Sequence, residues 1–263
     1  MADEIDSLSI FVGTGECNAN CAHCAGKVHR KYAPKKDGIL DKNLIYKTLE
    51  NCYSKGARSL TISSSGEPTL SPLAVTKLLI LVNNCERERI KYNPISIYTN
   101  GIRIGEDEDF CNQYLPLWKK QGLTRVYVTV HDVNEKRNAE IYRIKNYPSL
   151  KTIISRIHDA GLLVRGNLVL SKKTICTLEQ FVSAICDLKN LGVDLISAWP
   201  IRDKDDKLDL QLAPFKEELD KMEEKVKGYE GVRLLREKNR VLYETSKKLT
   251  LFLDGALSNT WCN

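Results

Sequence analysis

The sequence predicts an α/β protein folded as a partial (β/α)6 TIM-like barrel, and three observations carry that expectation. Between residues 59 and 198, short β-branched runs alternate with amphipathic stretches at helical spacing, the pattern of repeated βα units on a parallel sheet. Helix starts and stops fall between these runs. A further apolar run, SLSIFV at 7–12, precedes the series and brings the strands to six. Right-handed crossovers curl such a chain into a full or partial barrel, with the loops after the strands gathered on one face.

The elements follow in order. Asp41 to Gly56 carries Leu44, Ile45, Leu49, Cys52 and Tyr53 at helical spacing and ends in a glycine able to cap it. SLTISS, 59–64, reads as a strand. Ser71 and Pro72 start the next helix, because proline has no N–H to leave unpaired in the first turn, and Leu78, Leu79, Val82 and Cys85 continue its apolar face. ISIYT, 95–99, is a strand, followed by a helix over 107–121 weakened by Pro116 and by the strand RVYVTV, 125–130. Ser149 caps a helix with Ile153, Ile154 and Ile157 on one face, closed by Gly161. LLVRGNLVL, 162–170, is the fifth strand. Thr177 and Gln180 then form a capping box before Phe181, Val182, Ile185, Cys186 and Leu188, and DLISAW, 194–199, is the sixth strand.

The last sixty residues contain a charged helix near Pro214 to Gly228 and strands around Val232 and Leu249 to Leu253. They break the alternation and are expected to cap or close the sheet. The division expected is therefore a barrel core over 1–201 with an extension over 202–263, in one folded body without linker, repeat or low-complexity tract.

At 263 residues the chain is long enough for a sizeable core, and its 42% hydrophobic and 28% charged residues are those of a soluble globular protein. The formal charge of +6 comes from 40 basic and 34 acidic residues, too mild an excess for a nucleic-acid groove and a slight lean toward an anionic substrate. MADEIDSLSIF lacks the basic flank and apolar core of a secretory signal, and no apolar run reaches the roughly 18 residues of a membrane span. A cytoplasmic protein is expected. Nine cysteines, an odd number, do not suit a complete disulfide framework, and clustered thiols inside cells bind metal or do chemistry.

Cys17, Cys21 and Cys24 stand as C-x3-C-x2-C directly after the first strand, on a loop flanked by small residues that can wrap its thiolates around one point. Structural zinc takes four protein ligands, and the fourth would be His23, His29 or a distant cysteine. A [4Fe–4S] cluster takes four cysteines as a rule, and three leave one iron open.

CNANCAHC after the first strand of a βα series resembles the radical S-adenosylmethionine superfamily. The resemblance implies that Cys17, Cys21 and Cys24 hold a [4Fe–4S] cluster whose fourth iron chelates S-adenosylmethionine, and that reductive cleavage gives a 5′-deoxyadenosyl radical. It extends over roughly residues 8 to 201. Ser65, Gly66 and Glu67 of SSSGEP resemble the Gly-Gly-Glu-like turn that binds the methionine amino group, with serine for the first glycine. YTNG, Tyr98 to Gly101, resembles the family's third strand end and brings in Asn100. The fourth strand of the family ends Ser-x-Asp toward the ribose; here VTVH offers Thr129 and His131, and the acid is absent unless Asp132 replaces it. In VRGNLVL the residue expected to reach the methionine carboxylate or ribose is Asn167, with Arg165 on the same face. His23 takes the usually aromatic place near adenine, and Trp199 stands where adenine or substrate would lie.

The expected function is hydrogen abstraction from a small molecule, nucleotide or peptide, oxygen-sensitive and fed by a reducing donor such as a flavodoxin or ferredoxin. The alternatives are an activating enzyme for a glycyl-radical partner and a non-catalytic zinc-binding module. The basic stretch Lys27 to Lys36 reads either as a steering surface for an anionic substrate or donor protein or as a solvated loop. Cys262 reads as a hydrogen donor or as part of a frayed tail.

Overall fold

The structure, a computed structural model, describes residues 5–21, 23–33, 37–85, 89–203, 207–236 and 248–259. Cys262 and part of the basic stretch, residues 34–36, lie outside them.

The expected strands form where the β-branched runs stand: β1 (Ser7–Phe11), β2 (Ser59–Ser63), β3 (Ile95–Thr99), β4 (Arg125–Val130), β5 (Leu163–Leu170) and β6 (Leu195–Pro200). Between them run α1 (Lys42–Ser54), α2 (Pro72–Cys85), α3 (Ile102–Glu106), α4 (Glu108–Lys120), α5 (Glu135–Tyr142), α6 (Leu150–Asp159) and α7 (Leu178–Asn190). The helix boundaries have local causes. Asp41 accepts from the backbone N–H groups of Asn43 and Leu44, and Thr177 and Gln180 close the expected capping box. Pro116 lies inside α4, which runs on through it.

Two features depart from the sequence reading. Helix α5 occupies a stretch in which no element was expected, with Asn134 capping it through the N–H groups of Lys136 and Arg137. The alternation also continues past residue 201: α8 (Lys216–Val226) leads to β7 (Val232–Leu234), which pairs parallel to β6. The chain then crosses to the opposite edge, where β8 (Lys248–Leu251) pairs parallel to β1 and β9 (Leu257–Ser258) turns back antiparallel on it.

Among the described residues the sheet order is β7-β6-β5-β4-β3-β2-β1-β8-β9, parallel except for the last pair. Its ends do not pair, so the barrel is partial. Register partners of parallel strands share a face, so the ladders sort the side chains into two sets. Leu8, Ile10, Leu60, Ile62, Val126, Val128 and Leu168 point toward the helices and join Ile45, Leu49, Leu78, Leu79, Ile153 and Ile157 in one continuous core. Each such side chain contributes about 1.5–3 kcal/mol by leaving water. The other face, the lumen, is polar: Ser9, Ser63, Tyr98, Thr129, Arg165, Asn167 and Ser197 look into it, and the Ser9 and Ser63 hydroxyls meet at 3.1 Å. No helix among the described residues is long and apolar enough to cross a membrane.

Candidate active site

The thiol loop leaves β1 and is sewn to the neighbouring strand ends by backbone bonds. Val12 N–H donates to the Ser63 carbonyl at 2.8 Å, and Glu67 N–H donates to the Glu16 carbonyl at 2.8 Å. Gly66 permits the second contact: a Cβ there would lie 2.0 Å from the Glu16 carbonyl oxygen, so no side chain fits. A 3-10 helix, Ala25–Tyr32, completes the loop, and its Arg30 Nε donates to the Ser65 carbonyl at 3.1 Å. Lys27 holds the loop from outside, donating to the Cys21 carbonyl at 2.7 Å.

Cys17, Cys21 and Cys24 are half-buried, and none is in a disulfide. Burial pushes the Cys17 and Cys21 thiols up, Cys21 to about 12, and the charge that would form on Cys24 opposes ionisation of both. Cys17 and Cys21 therefore sense the other sulfurs, and added positive charge would favour their thiolates. Among the described residues, however, no three His, Cys, Asp or Glu side chains gather closely enough to hold a single metal ion.

Glu67 is 3% exposed. Its Oε1 accepts from the Thr69 N–H and the Thr69 and Thr99 hydroxyls, and Oε2 accepts from the Asn100 N–H at 2.7 Å. Burial pushes this carboxyl above its ordinary value and the hydrogen bonds pull against that rise. The residue does cap the short 3-10 turn Pro68–Leu70, yet Oε2 keeps room for a second donor. Asn100, from the end of β3, donates through Nδ2 to Asn18 Oδ1 at 2.7 Å and to the Cys17 sulfur at 3.9 Å. Gly101 follows at φ 78°, a left-handed conformation that lets the chain turn into α3.

The structure thus brings the thiols, Ser65, Gly66, Glu67 and Asn100 to one end of the sheet. His23 and His131 join them, rings edge to face with centroids 5.5 Å apart. Burial, and then His23, lowers His131 to about 3, so its ring is neutral. Thr129 and Asn167 are register partners on the lumen face, and Asn167 Oδ1 accepts from Arg165 Nε at 3.0 Å. Arg165 sits one layer deeper, donating to the Tyr98 hydroxyl at 3.2 Å and lying 3.3 Å from the centre of the Tyr127 ring. Trp199 is half-buried on β6 beside Val169, with no role fixed by its contacts. Asp132 does not replace the missing strand-end acid: its carboxylate accepts from Asn134 N–H and pairs with Arg137, facing α5.

Sequence reasoning missed the pair Tyr142 and Tyr147, whose rings stack at 5.3 Å. Their hydroxyls donate to the Thr129 and Asn100 carbonyls at 2.9 and 2.8 Å and fix both site strands from behind. The signal was the cap Asn134 with Glu135 in the first turn of α5.

Among the described residues, four buried polar atoms at this end have no hydrogen-bond partner: Ser65 Oγ, Asn167 Nδ2, His23 Nε2 and Asn138 Nδ2. Buried polar atoms are nearly always bonded, so these are free to meet a polar ligand. With the thiol triad, they fit a cluster and a nucleoside bearing amino-acid groups.

Comparison with known proteins decides the family. The model described as "Radical SAM superfamily" matches residues 11–185, more than half the chain. The chain belongs to the radical SAM superfamily. Among curated radical SAM relatives, the probable GTP 3′,8-cyclase of Methanopyrus kandleri is 27% identical over 195 residues, 73% of this chain and 57% of that protein. The probable GTP 3′,8-cyclase of Methanococcus maripaludis is 26% identical over 227 residues, 85% of this chain and 69% of that protein. The chain thus matches little more than half the length of the first relative. Similar solved structures include Streptococcus suis SuiB bound to S-adenosylmethionine (TM-score 0.64, 17% identity, 98% of this chain and 58% of that one). They also include HydG, a maturase of the [FeFe]-hydrogenase (TM-score 0.67, 13% identity, 98% and 58%). At these identities the structures show a shared fold, the radical SAM partial barrel. Membership makes the chain an enzyme and sets aside the non-catalytic zinc module.

Proposed function

We propose that this chain cleaves S-adenosylmethionine reductively at a [4Fe–4S] cluster held by Cys17, Cys21 and Cys24, and directs the resulting radical at a nucleotide-type substrate in the barrel lumen. The observation that supports it is the joining of three loops at one sheet end, by Glu16 to Glu67 and by Asn100 to the Cys17 sulfur. When bound, the cluster and its ligand supply an electron to the sulfonium and a 5′-deoxyadenosyl radical that takes hydrogen from the substrate. A small reducing protein of the cytoplasm, such as a flavodoxin or ferredoxin, is the electron donor in this reading.

The chain's own residues do the positioning. Glu67 is fixed by four hydrogen bonds and offers Oε2 to an ammonium group, a charge-assisted contact in a site closed to water. Asn100 donates to the Cys17 sulfur, which stabilises a thiolate there. Ser65 Oγ and Asn167 Nδ2 each offer a free polar atom to the methionine carboxylate or ribose, and Thr129 stands beside Asn167. His131, neutral, packs edge-on against His23 on the side of the site where adenine would lie. The relatives' named activity on GTP favours a nucleotide over a peptide.

The test is release of 5′-deoxyadenosine from S-adenosylmethionine and dithionite by protein purified without oxygen. Cys17→Ala, Cys21→Ala and Cys24→Ala abolish it; Glu67→Gln keeps the iron but raises the S-adenosylmethionine concentration needed by about tenfold or more, as expected for one lost charge-assisted contact. Release undiminished by the cysteine changes overturns the reading.

A further inference from the structure

We propose that Lys27 sets the charge of the cluster loop: its ammonium, held on the Cys21 carbonyl, offsets the negative charge of three thiolates and an added electron, and so raises the reduction potential of a cluster bound there. It rests on the cluster reading above.

The basic stretch that begins at Lys27 reads in the sequence as a steering surface or a solvated loop, and the structure gives Lys27 another use. Its Nζ donates to the Cys21 carbonyl at 2.7 Å and to Asn20 Oδ1 at 3.0 Å. The local helix explains this reach. Lys27 N–H donates to the Cys24 carbonyl at 3.3 Å in the first turn of the 3-10 helix Ala25–Tyr32, whose three residues per turn bring Lys27 over Cys24. A side chain one turn on from one thiol thus returns to the backbone of another. The helix is pinned at its next turn. The ring of His29, 8% exposed, stacks on Phe252 at 4.6 Å and meets Phe11 edge to face at 5.6 Å, while Arg30 Nε holds the Ser65 carbonyl at 3.1 Å.

Two further facts make this ammonium more than a clip. Among the described residues no carboxylate pairs with Lys27, so its charge is uncompensated. Glu67, the buried carboxylate of the same rim, is held by Thr69, Thr99 and Asn100 instead. The second fact is distance. Bond lengths keep the Cys21 sulfur within about 5 Å of its own carbonyl oxygen, so the ammonium stands within about 8 Å of that sulfur. At that range, in a partly buried site, one unit charge is worth about tenfold or more in a one-electron equilibrium. Because the anchor is the backbone of a thiol-bearing residue, the charge stays in place when the loop is loaded.

The experiment is a redox titration of the full chain, loaded with iron and sulfide without oxygen and followed by electron paramagnetic resonance of the reduced cluster. Lys27→Gln keeps a hydrogen-bond donor and removes the charge. It lowers the midpoint potential by about 59 mV, a tenfold loss in the one-electron equilibrium, with iron per chain unchanged. Lys27→Arg restores the potential, and Lys47→Gln, exposed on α1, leaves it where it was. Asn20→Ala removes one anchor of the ammonium, leaves the charge and the thiols, and shifts the potential part of the way in the same direction. If Lys27→Gln loses its iron, Asn20→Ala carries the test. An unmoved potential in the variant that carries the test, a failure of Lys27→Arg to restore it, or an equal fall with Lys47→Gln overturns the proposal. A wild-type chain that takes up no iron overturns the cluster reading and this one with it, whereas an iron-loaded chain indifferent to the charge at 27 overturns this one alone.

Discussion

His131 shows how a single residue ties the site to the stability of the chain. Its ring is enclosed by His23 and Tyr142, and burial holds its pKa near 3, against an ordinary histidine value of 6.5. The unfolded chain takes up a proton at that ordinary value and the folded chain does not, so the stability linked to this ring is complete above about pH 6.5 and is lost as pH falls toward 3. Chemical denaturation between pH 7 and 5 should show stability falling with acid, and His131→Gln should flatten that slope; an unchanged slope contradicts the buried, neutral ring. The same scale explains why the strand-end acid is missing. Asp132 is next in sequence, but strand alternation turns it to the other side, where it serves the start of α5. No one-residue shift in reading rescues a carboxylate for the lumen.

At the scale of elements, the strands and most helices were legible because their signals are local. Alternating β-branched runs, Asp41, Ser71 with Pro72, and the Thr177–Gln180 box each place a boundary without help from the rest of the chain. The box makes a direct prediction: Thr177→Ala removes one cap bond from α7 and should lower stability by about 1 kcal/mol while leaving S-adenosylmethionine cleavage unchanged. Equilibrium unfolding and the cleavage assay measure the two halves. Helix α5 was missed because it is short and highly polar, with Ala139 and Tyr142 as its only buried apolar side chains. What makes it matter, the reach of Tyr142 to Thr129 and of nearby Tyr147 to Asn100, is a tertiary fact that periodicity does not carry. Strand β7 is three residues long, too short for periodicity to mark it, and it pairs on β6 with α8 packed against it.

For the whole molecule, the cofactor end and the substrate end of the lumen have different origins in the sequence. The cofactor end is written as short motifs, C-x3-C-x2-C, SGE and TNG, which the parallel order of strands delivers to one rim. It could be read from the sequence because each motif sits at a strand end. The rest of the lumen could not, because the C-terminal segment sends β7 to one edge of the sheet and β8 to the other. The excess of basic residues over acidic ones hinted at an anionic substrate without saying where it would sit.

The central claim is that three thiolates leave one iron of a cluster open to S-adenosylmethionine. The most direct measurement is the electron paramagnetic resonance of the dithionite-reduced protein, prepared without oxygen, before and after adding S-adenosylmethionine. The account predicts about four irons per chain and a reduced-cluster signal that changes shape when the ligand occupies the open iron. A chain without iron, or a cluster signal indifferent to S-adenosylmethionine, would contradict it.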